Sequence, residues 1–373
     1  MTIAQHQTKN NTVAVAMSGG VDSAVSAALL LQQGYQVEAF YMKNWSDEAE
    51  AMYRGKHDRC PWEDDMKDVK AICAHLKIPF QSINFEKEYR TKVFQYFLEE
   101  IKAGCTPNPD VLCNTQIKFL AFLNKALALG FEKIATGHYA RVGELRPSAP
   151  NAASWQLLKG VDPNKDQSYF IYHLNQTQLA KILFPIGHLQ KSEVRKLAQD
   201  FKLPVAHKPD SQGLCFIGDI NFQTFLKQYV KAEPGPMILT DGTIMGQHKG
   251  LAYYTIGQRQ GLEIGGTGPY YVVEKRLADN TLIICQGAND KSLLSSWCTF
   301  AEEHWVSGVR PAEEFECSAK IRYRSPDVKC RVIGNHIEFA EPARAVTPGQ
   351  FAVFYNGDQV LGGGVITARE LLV

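Results

Sequence analysis

Short apolar runs alternate with longer stretches of helical periodicity through the first half of the chain. Residues 13–17 (Val-Ala-Val-Ala-Met) have the pattern of a buried strand. Residues 21–33 carry apolar positions at helical spacing as far as Gly34, a residue suited to ending a helix. The alternation continues with strands predicted at 37–42, 80–84 and 133–136 and helices at 63–76, 89–102, 116–129 and 193–201. Gly104, Pro107 and Pro109 interrupt the helical pattern between the third and fourth strands. Repeated strand–helix alternation predicts a parallel sheet covered on both faces. Beyond residue 220 the pattern changes. Glu233-Pro234-Gly235-Pro236 is a turn cluster, and short strands follow at 270–274, 282–285, 316–323, 329–332, 337–339 and 351–355. Strands this short, separated by glycine turns, predict a small β-barrel or sandwich. Three domains are expected: 1–219, a small central β-rich domain at 220–287, and a C-terminal β-barrel at 288–373.

Length agrees with this division, because 373 residues exceed what one ordinary core organises. Charged residues are 21% and hydrophobic residues 45%, as in soluble globular proteins. No apolar run approaches the roughly 20 residues that span a bilayer. The first eleven residues are polar, with neither a signal-peptide apolar region nor Arg-rich character, so the expected location is cytoplasmic, with no membrane partner. The net charge of +1 does not announce a nucleic-acid binder, so any RNA contact must use a local basic face. The nine cysteines are odd in number, and no two stand at Cys-x-x-Cys spacing. A disulfide framework and a zinc knuckle are both unsupported, and most of the thiols are expected to be small buried groups.

The strongest local signal is Ala16-Met17-Ser18-Gly19-Gly20-Val21-Asp22-Ser23. It places a glycine turn between an apolar strand and a helix start. Two glycines let the backbone approach an anion, and the helix N-terminus supplies free N–H groups. Ser18 and Ser23 add hydroxyls, and Asp22 suits a Mg²⁺ ion better than a phosphate. No Gly-Lys-Ser/Thr follows, so this is not a Walker loop, and the dinucleotide glycine pattern is absent too. The segment resembles the PP-loop of the ATP pyrophosphatases, which cleave ATP to AMP and pyrophosphate while adenylating a substrate oxygen. Met42 after the second strand and Gly137-His138 after the fourth lie where a ligand of an open α/β sheet would sit.

Two cysteines have a chemical context. Asn108-Pro109-Asp110-Val111-Leu112-Cys113-Asn114 puts a carboxylate three residues before a thiol, at a turn that opens a helix. A thiol near a helix N-terminus is more acidic and more nucleophilic. Asp210-Ser211-Gln212-Gly213-Leu214-Cys215-Phe216-Ile217-Gly218 surrounds the second thiol with glycines. Together with Lys165-Asp166-Gln167-Ser168-Tyr169, residues 254–259 and residues 346–350, these segments resemble the tRNA-specific 2-thiouridylases. The resemblance implies a Rossmann-like α/β domain with a PP-loop, a small central domain and a C-terminal β-barrel that binds tRNA.

It also implies an activity. ATP adenylates the 2-oxo group of the wobble uridine in the anticodon arm. Cys215 carries the incoming sulfur as a persulfide, and the nucleophile Cys113 releases it or forms a transient disulfide with Cys215. Asp110 acts either as a base or by holding the target base. A protein carrying a persulfide is the implied sulfur donor. An iron–sulfur cluster held by Cys113, Cys215 and Asp110 stays open on the residues alone. The implied tRNA contacts are Asn108, Pro109, Asp110, His138, Lys165, Asp166, Gln167, Arg322, Tyr323 and Gln350. Arg322-Tyr323-Arg324 is expected on a strand, with Lys320, Lys329 and Arg331 extending a basic stripe. The competing reading is another PP-loop adenylating ligase acting on a small molecule, which explains the phosphate loop but neither cysteine motif nor the β-rich C-terminus.

Overall fold

The structure is a computed structural model of the chain, and residues 11–45, 61–145, 154–210, 225–265 and 268–372 are described. It divides into two compact units. The first comprises Met1–Arg90, Cys113–Ser168 and Gln176–Gly218, the second Thr91–Leu112, Tyr169–Asn175 and Asp219–Val373.

The first unit is built on strands β1 (Thr12–Ala16), β2 (Gln36–Lys43), β3 (Phe80–Asn84) and β4 (Lys133–Ala135). A hairpin of β5 (Ala140–Glu144) and β6 (Trp155–Lys159) follows, then β7 (Ile182–Leu183). The central sheet is wholly parallel, in the order β3–β2–β1–β4–β7. The four expected strands are there. The fifth, β7, has only two residues, too few to stand out as a periodic run.

Helix α1 (Val21–Gln32) has eight of its twelve residues buried, so it is a central helix and not a surface one. Its small residues Ala24, Ala27 and Ala28 let it lie close to the sheet, where Val13, Val15 and Ala39 share one core with it. Val194 and Ala198 of the helix Lys191–Asp200 join the same core. Each Val or Leu fully buried here contributes roughly 1.5–3 kcal/mol.

The second unit holds two β-structures. One is a four-stranded sheet of β8 (Gly235–Leu239), β9 (Ile244–His248), β10 (Tyr270–Arg276) and β11 (Thr281–Gln286), in the order β10–β11–β8–β9. The other uses β12 (Leu294–Trp305), β13 (Glu314–Lys320), β14 (Val328–Ile333), β15 (His336–Arg344), β16 (Phe351–Asn356) and β17 (Gln359–Arg369). Its strands run β12–β15–β14–β13–β16–β17 and close through β12–β17 pairing into an antiparallel barrel, which removes the free edges. Phe300, Val332, Ile337 and Phe354 fill it, and the Trp305 ring stacks on Phe354 at 5.7 Å.

Among the described residues, no helix is long and apolar enough to cross a membrane.

Candidate active site

In the first unit the strand order reverses at β1, which has β2 on one side and β4 on the other. Ligands of open parallel sheets bind beyond the strand ends at such a point. Residues 17–20 leave β1 there, and residues 136–138 leave β4. Gly19 has φ +74°, and a Cβ on it would stand 2.8 Å from the Asp65 carbonyl oxygen. The turn therefore requires glycine twice over, for conformation and for space. Gly20 caps α1 without any side-chain hydrogen bond to the first turn. The hydroxyls are pre-set: Ser23 Oγ donates to Gly20 O at 3.1 Å, accepts from Ser18 N at 3.3 Å and lies 3.2 Å from Ser18 Oγ. Gly137 allows the β4 loop to pass against this helix start, since a Cβ there would lie 2.7 Å from Ser23 N.

Asp22 does not stand free in this loop. Its Oδ1 accepts from Tyr139 Oη at 2.8 Å and from Lys191 Nζ at 2.7 Å. Lys191 also reaches Asp210 Oδ1 at 2.9 Å, and Asp210 further binds Lys165 and Arg195, each at 2.5 Å. Lys191 is the first residue of its helix, in a capping box formed by Gln190 and Glu193, and its backbone N–H donates to Asp162 Oδ2 at 2.9 Å. On the other side of the loop Lys208 Nζ contacts Gly19 O at 3.2 Å, Asp65 at 2.8 Å and Asp68 at 2.7 Å.

The electrostatics follow from these partners. Burial raises the Asp210 carboxyl, but Lys165 and Lys191 outweigh it and hold the pKa down to about 2. Burial works against the Lys208 ammonium, yet the hydrogen bonds to Asp65 and Asp68 raise its pKa. Burial first, and the Asp22 charge second, keep the Tyr139 phenol protonated as a donor. Two cations thus touch the phosphate loop, Lys191 through Asp22 and Lys208 through Gly19 O, and Lys165 and Arg195 join Lys191 on Asp210. The sequence reading contained Lys165 but missed Lys191, Arg195, Lys208 and Tyr139.

Ala16, Met17, Val21 and Met42 are buried around the strand ends. Just past Met42, Asn44 is 2% exposed, and neither its Oδ1 nor its Nδ2 has a hydrogen-bond partner among the described residues. A buried amide left unpaired costs about 1–3 kcal/mol, which a ligand offering both a donor and an acceptor would offset. One donor beside one acceptor matches the edge of adenine. The orphaned amide and the phosphate loop with its two cations together fit an ATP molecule.

His138 is 7% exposed, lies between the Phe119 and Phe184 rings and meets Thr136 Oγ1 at 2.7 Å through Nδ1. Burial, then Lys118, lowers its pKa well below the usual value, so the ring is neutral. Asp166 is buried too and accepts from Gly160 N and from the Ser168 N–H and hydroxyl, while Gln167 Oε1 accepts from Tyr139 N. These residues shape the loop that presents Lys165.

Asn108 Oδ1 accepts from Asp110 N at 3.1 Å, and Pro109 opens the short helix Pro109–Leu112. A π-helix, Cys113–Phe122, follows directly. Cys113 therefore lies past the first turn of the helical run, not at its opening as the sequence suggested. Cys113 is 1% exposed. π-turns within helices recur at functional sites. Cys215 and its flanking residues 211–218 lie outside the described residues, as does Cys60.

In the second unit the expected strand 316–323 ends at Lys320, and residues 321–324 form the turn to β14. Arg324 has φ +63°, which no strand accommodates. Arg322 and Arg324 consequently do not share a strand face. Arg322 turns inward and donates to Ile256 O at 3.2 Å and Thr347 Oγ1 at 3.1 Å, and burial lowers its pKa. Arg324 is exposed, with its guanidinium 5.3 Å from the Tyr323 ring centre, and Tyr323 packs on Phe170 at 4.2 Å. Arg331 pairs with Glu314, which takes it out of an uninterrupted basic stripe. Gln350 is 6% exposed, and its amide donates to Thr106 O at 2.6 Å.

Residues 11–219 match the model of the tRNA methyl transferase HUP domain, residues 223–286 that of the tRNA methyl transferase PRC-barrel domain, and residues 295–366 that of the aminomethyltransferase beta-barrel domain. The chain is 50% identical over 372 residues to the tRNA-specific 2-thiouridylase MnmA 2 of Geobacillus kaustophilus, covering 98% of this chain and 96% of that protein. It is 49% identical over 365 residues to the tRNA-specific 2-thiouridylase MnmA of Bacillus subtilis, with 96% and 95% covered. It is 49% identical over 373 residues to that of Herminiimonas arsenicoxydans, with 96% and 98% covered.

Proposed function

Since the chain belongs to the tRNA-specific 2-thiouridylase family, we propose that it is the sulfurtransferase that converts the wobble uridine of tRNA to 2-thiouridine at the expense of ATP. The observation that carries the reading is the phosphate loop, with Lys191 on Asp22 and Lys208 on Gly19 O, and with Lys165 and Arg195 joined to Lys191 through Asp210. A small-molecule ligase would use that loop equally well. The motifs around Cys113 and Cys215 and the C-terminal barrel favour sulfur chemistry on RNA.

The uridine O2 attacks the α-phosphorus and pyrophosphate leaves, with Lys191 and Lys165 turning from carboxylates to phosphate oxygens. Asp22, on releasing Lys191, would be the carboxylate to hold a Mg²⁺ ion, which would neutralise charge on the departing pyrophosphate. The terminal sulfur of a Cys215 persulfide attacks C2, and AMP leaves with the former oxygen. The Cys113 thiolate attacks the Cys215 sulfur, the S–S bond breaks, and 2-thiouridine departs from a Cys113–Cys215 disulfide that an external thiol reduces. Residues 108–110 hold the base that has left its stack, with Asp110 as hydrogen-bond acceptor or base. Splitting the substitution into activation and attack turns a poor leaving group into a good one. A persulfide-carrying protein in the cytoplasm recharges Cys215.

The deciding experiment is mass analysis of wobble nucleosides after tRNA is incubated anaerobically with the protein, ATP and a low-molecular-weight persulfide as sulfur donor, with and without iron. ATP-dependent 2-thiouridine without iron supports the persulfide route. A strict need for iron would replace it with a cluster held by Cys113 and Cys215.

Two variants probe the separate sites. Asn44→Leu is expected to weaken ATP binding about tenfold, since one buried hydrogen-bond pair to a base edge is worth roughly 1.4 kcal/mol. Calorimetry with ATP and GTP checks it, and an unaltered ATP affinity would place adenine elsewhere. In the barrel, Arg322→Ala is expected to destabilise by about 1–3 kcal/mol because Thr347 and Ile256 lose their donor, whereas Arg324→Ala stays within about 0.5 kcal/mol. Only Arg324→Ala is expected to lower the salt slope of tRNA binding cleanly, by about 1 for one lost phosphate contact. Melting curves beside a salt series read both, and an unchanged slope would make Arg324 a solvated surface residue.

A further inference from the structure

Within the second unit, residues 105–110 leave the helix Gln95–Lys102 and run to the short helix Pro109–Leu112. Their first two residues are gripped from two separate elements. From the barrel, Pro348 O accepts from Thr106 N at 2.9 Å, and the Gln350 amide donates to Thr106 O at 2.6 Å. Gly349 lies between them with φ +88°, and a Cβ on it would stand 2.9 Å from both Cys105 Cβ and Thr106 N. From the four-stranded sheet, Lys275 Nζ donates to Cys105 O and to Thr106 Oγ1, each at 3.3 Å. A β-bulge between Val272 and Glu274 precedes Lys275, the kind of irregularity that re-aims a side chain.

Lys275 is a costly way to make this contact. Among the described residues it has no ion-pair partner, and burial pulls its pKa down to about 8. An ammonium withdrawn from water without an anion destabilises the fold. A methionine of similar length would fill the same space without that cost. A residue that costs stability and grips one segment is explained by what that segment does.

We infer that Lys275 is a positioning residue for thiolation: together with Gln350 it pre-orders residues 105–110, so that Asn108 and Asp110 meet the target uridine already arranged. This rests on the reading above that residues 108–110 hold that base. A segment ordered beforehand spares the substrate from supplying the ordering free energy.

The test uses the full chain with Lys275→Met, Lys275→Arg and, as an independent route to the same segment, Gln350→Leu. Amide hydrogen exchange of residues 105–110, measured without RNA, is expected to quicken about tenfold in Lys275→Met and Gln350→Leu, and less in Lys275→Arg. The kcat/KM for tRNA is expected to fall about 10- to 100-fold in the first two, with ATP affinity unchanged and the melting temperature lowered by no more than a few degrees by the loss of one donor. Unchanged exchange in both variants would overturn the positioning role. Faster exchange with undiminished thiolation would leave the grip in place but overturn the assignment of residues 108–110 to the base. Equal losses in ATP affinity and thiolation would mean general unfolding and would also overturn the inference.

Discussion

Replacing Cys215 with serine is expected to leave pyrophosphate release running while 2-thiouridine formation falls to the assay background. Serine can be neither persulfidated nor made to pass on a sulfur atom, so the loss is complete and not partial. In the proposed mechanism, activation of the uridine oxygen precedes sulfur attack and draws on different groups: the phosphate loop, and Lys165 and Lys191, which in this structure pair with Asp210 and Asp22. Cys113→Ser is expected to stop turnover as well, but to trap tRNA joined to Cys215 through a disulfide, visible as a protein–RNA adduct that added thiol releases as 2-thiouridine. The two phenotypes separate the carrier from the releasing thiol. Full thiolation by the Cys215 variant would end the carrier assignment. Loss of bound iron in either variant would point instead to a cluster.

The second large effect belongs to the phosphate loop. Gly19→Val is expected to abolish pyrophosphate release, because the new side chain meets the Asp65 carbonyl and a β-branched residue resists φ +74°. Asp22→Ala is expected to lower release by at least about 10²-fold, the usual scale for losing a group that stabilises transferring charge. It also strips Lys191 and Tyr139 of a shared partner. Near-normal release in both variants, followed with a coupled pyrophosphate assay, would move the ATP site away from this loop.

The phosphate loop was legible because all its determinants are local: two glycines, two hydroxyls and a helix start within eight residues. The cations around it were not. Lys191 and Tyr139 stand 169 and 117 residues from Asp22, and only the parallel sheet brings them together. The parallel strands themselves announced their order of occurrence, because buried strands and central helices differ in period. The barrel was harder. β12 contains irregularities between Ser295 and Trp297 and between Ala301 and His304, which break the two-residue alternation. β17 runs through Gly362-Gly363-Gly364, which reads as a turn until the close approach of its neighbours is seen. The turn at Arg322 looked like strand because Ala319 and Ile321 continue the alternation for one step too many. At Cys113 the proline signal marked the opening of the helix at Pro109, whereas Asn114, read as a second opening signal, lies inside the helical run.

The two units are interleaved in sequence, and that bears on how the chain is made. The span that matches one inherited domain ends at residue 219, yet Thr91–Leu112 and Tyr169–Asn175 inside it belong to the unit completed by Asp219–Val373. Phe94 packs on Phe225 and Tyr229, and Tyr169 and Tyr172 pack against Phe351. All of those partners are translated later. At about 5–20 residues per second, a nascent chain waits roughly 10–30 s between presenting these aromatic side chains and receiving the strands that bury them. For that interval those aromatic side chains lack the partners that cover them in the folded chain, so burial of this part of the core is expected to be post-translational or late in synthesis.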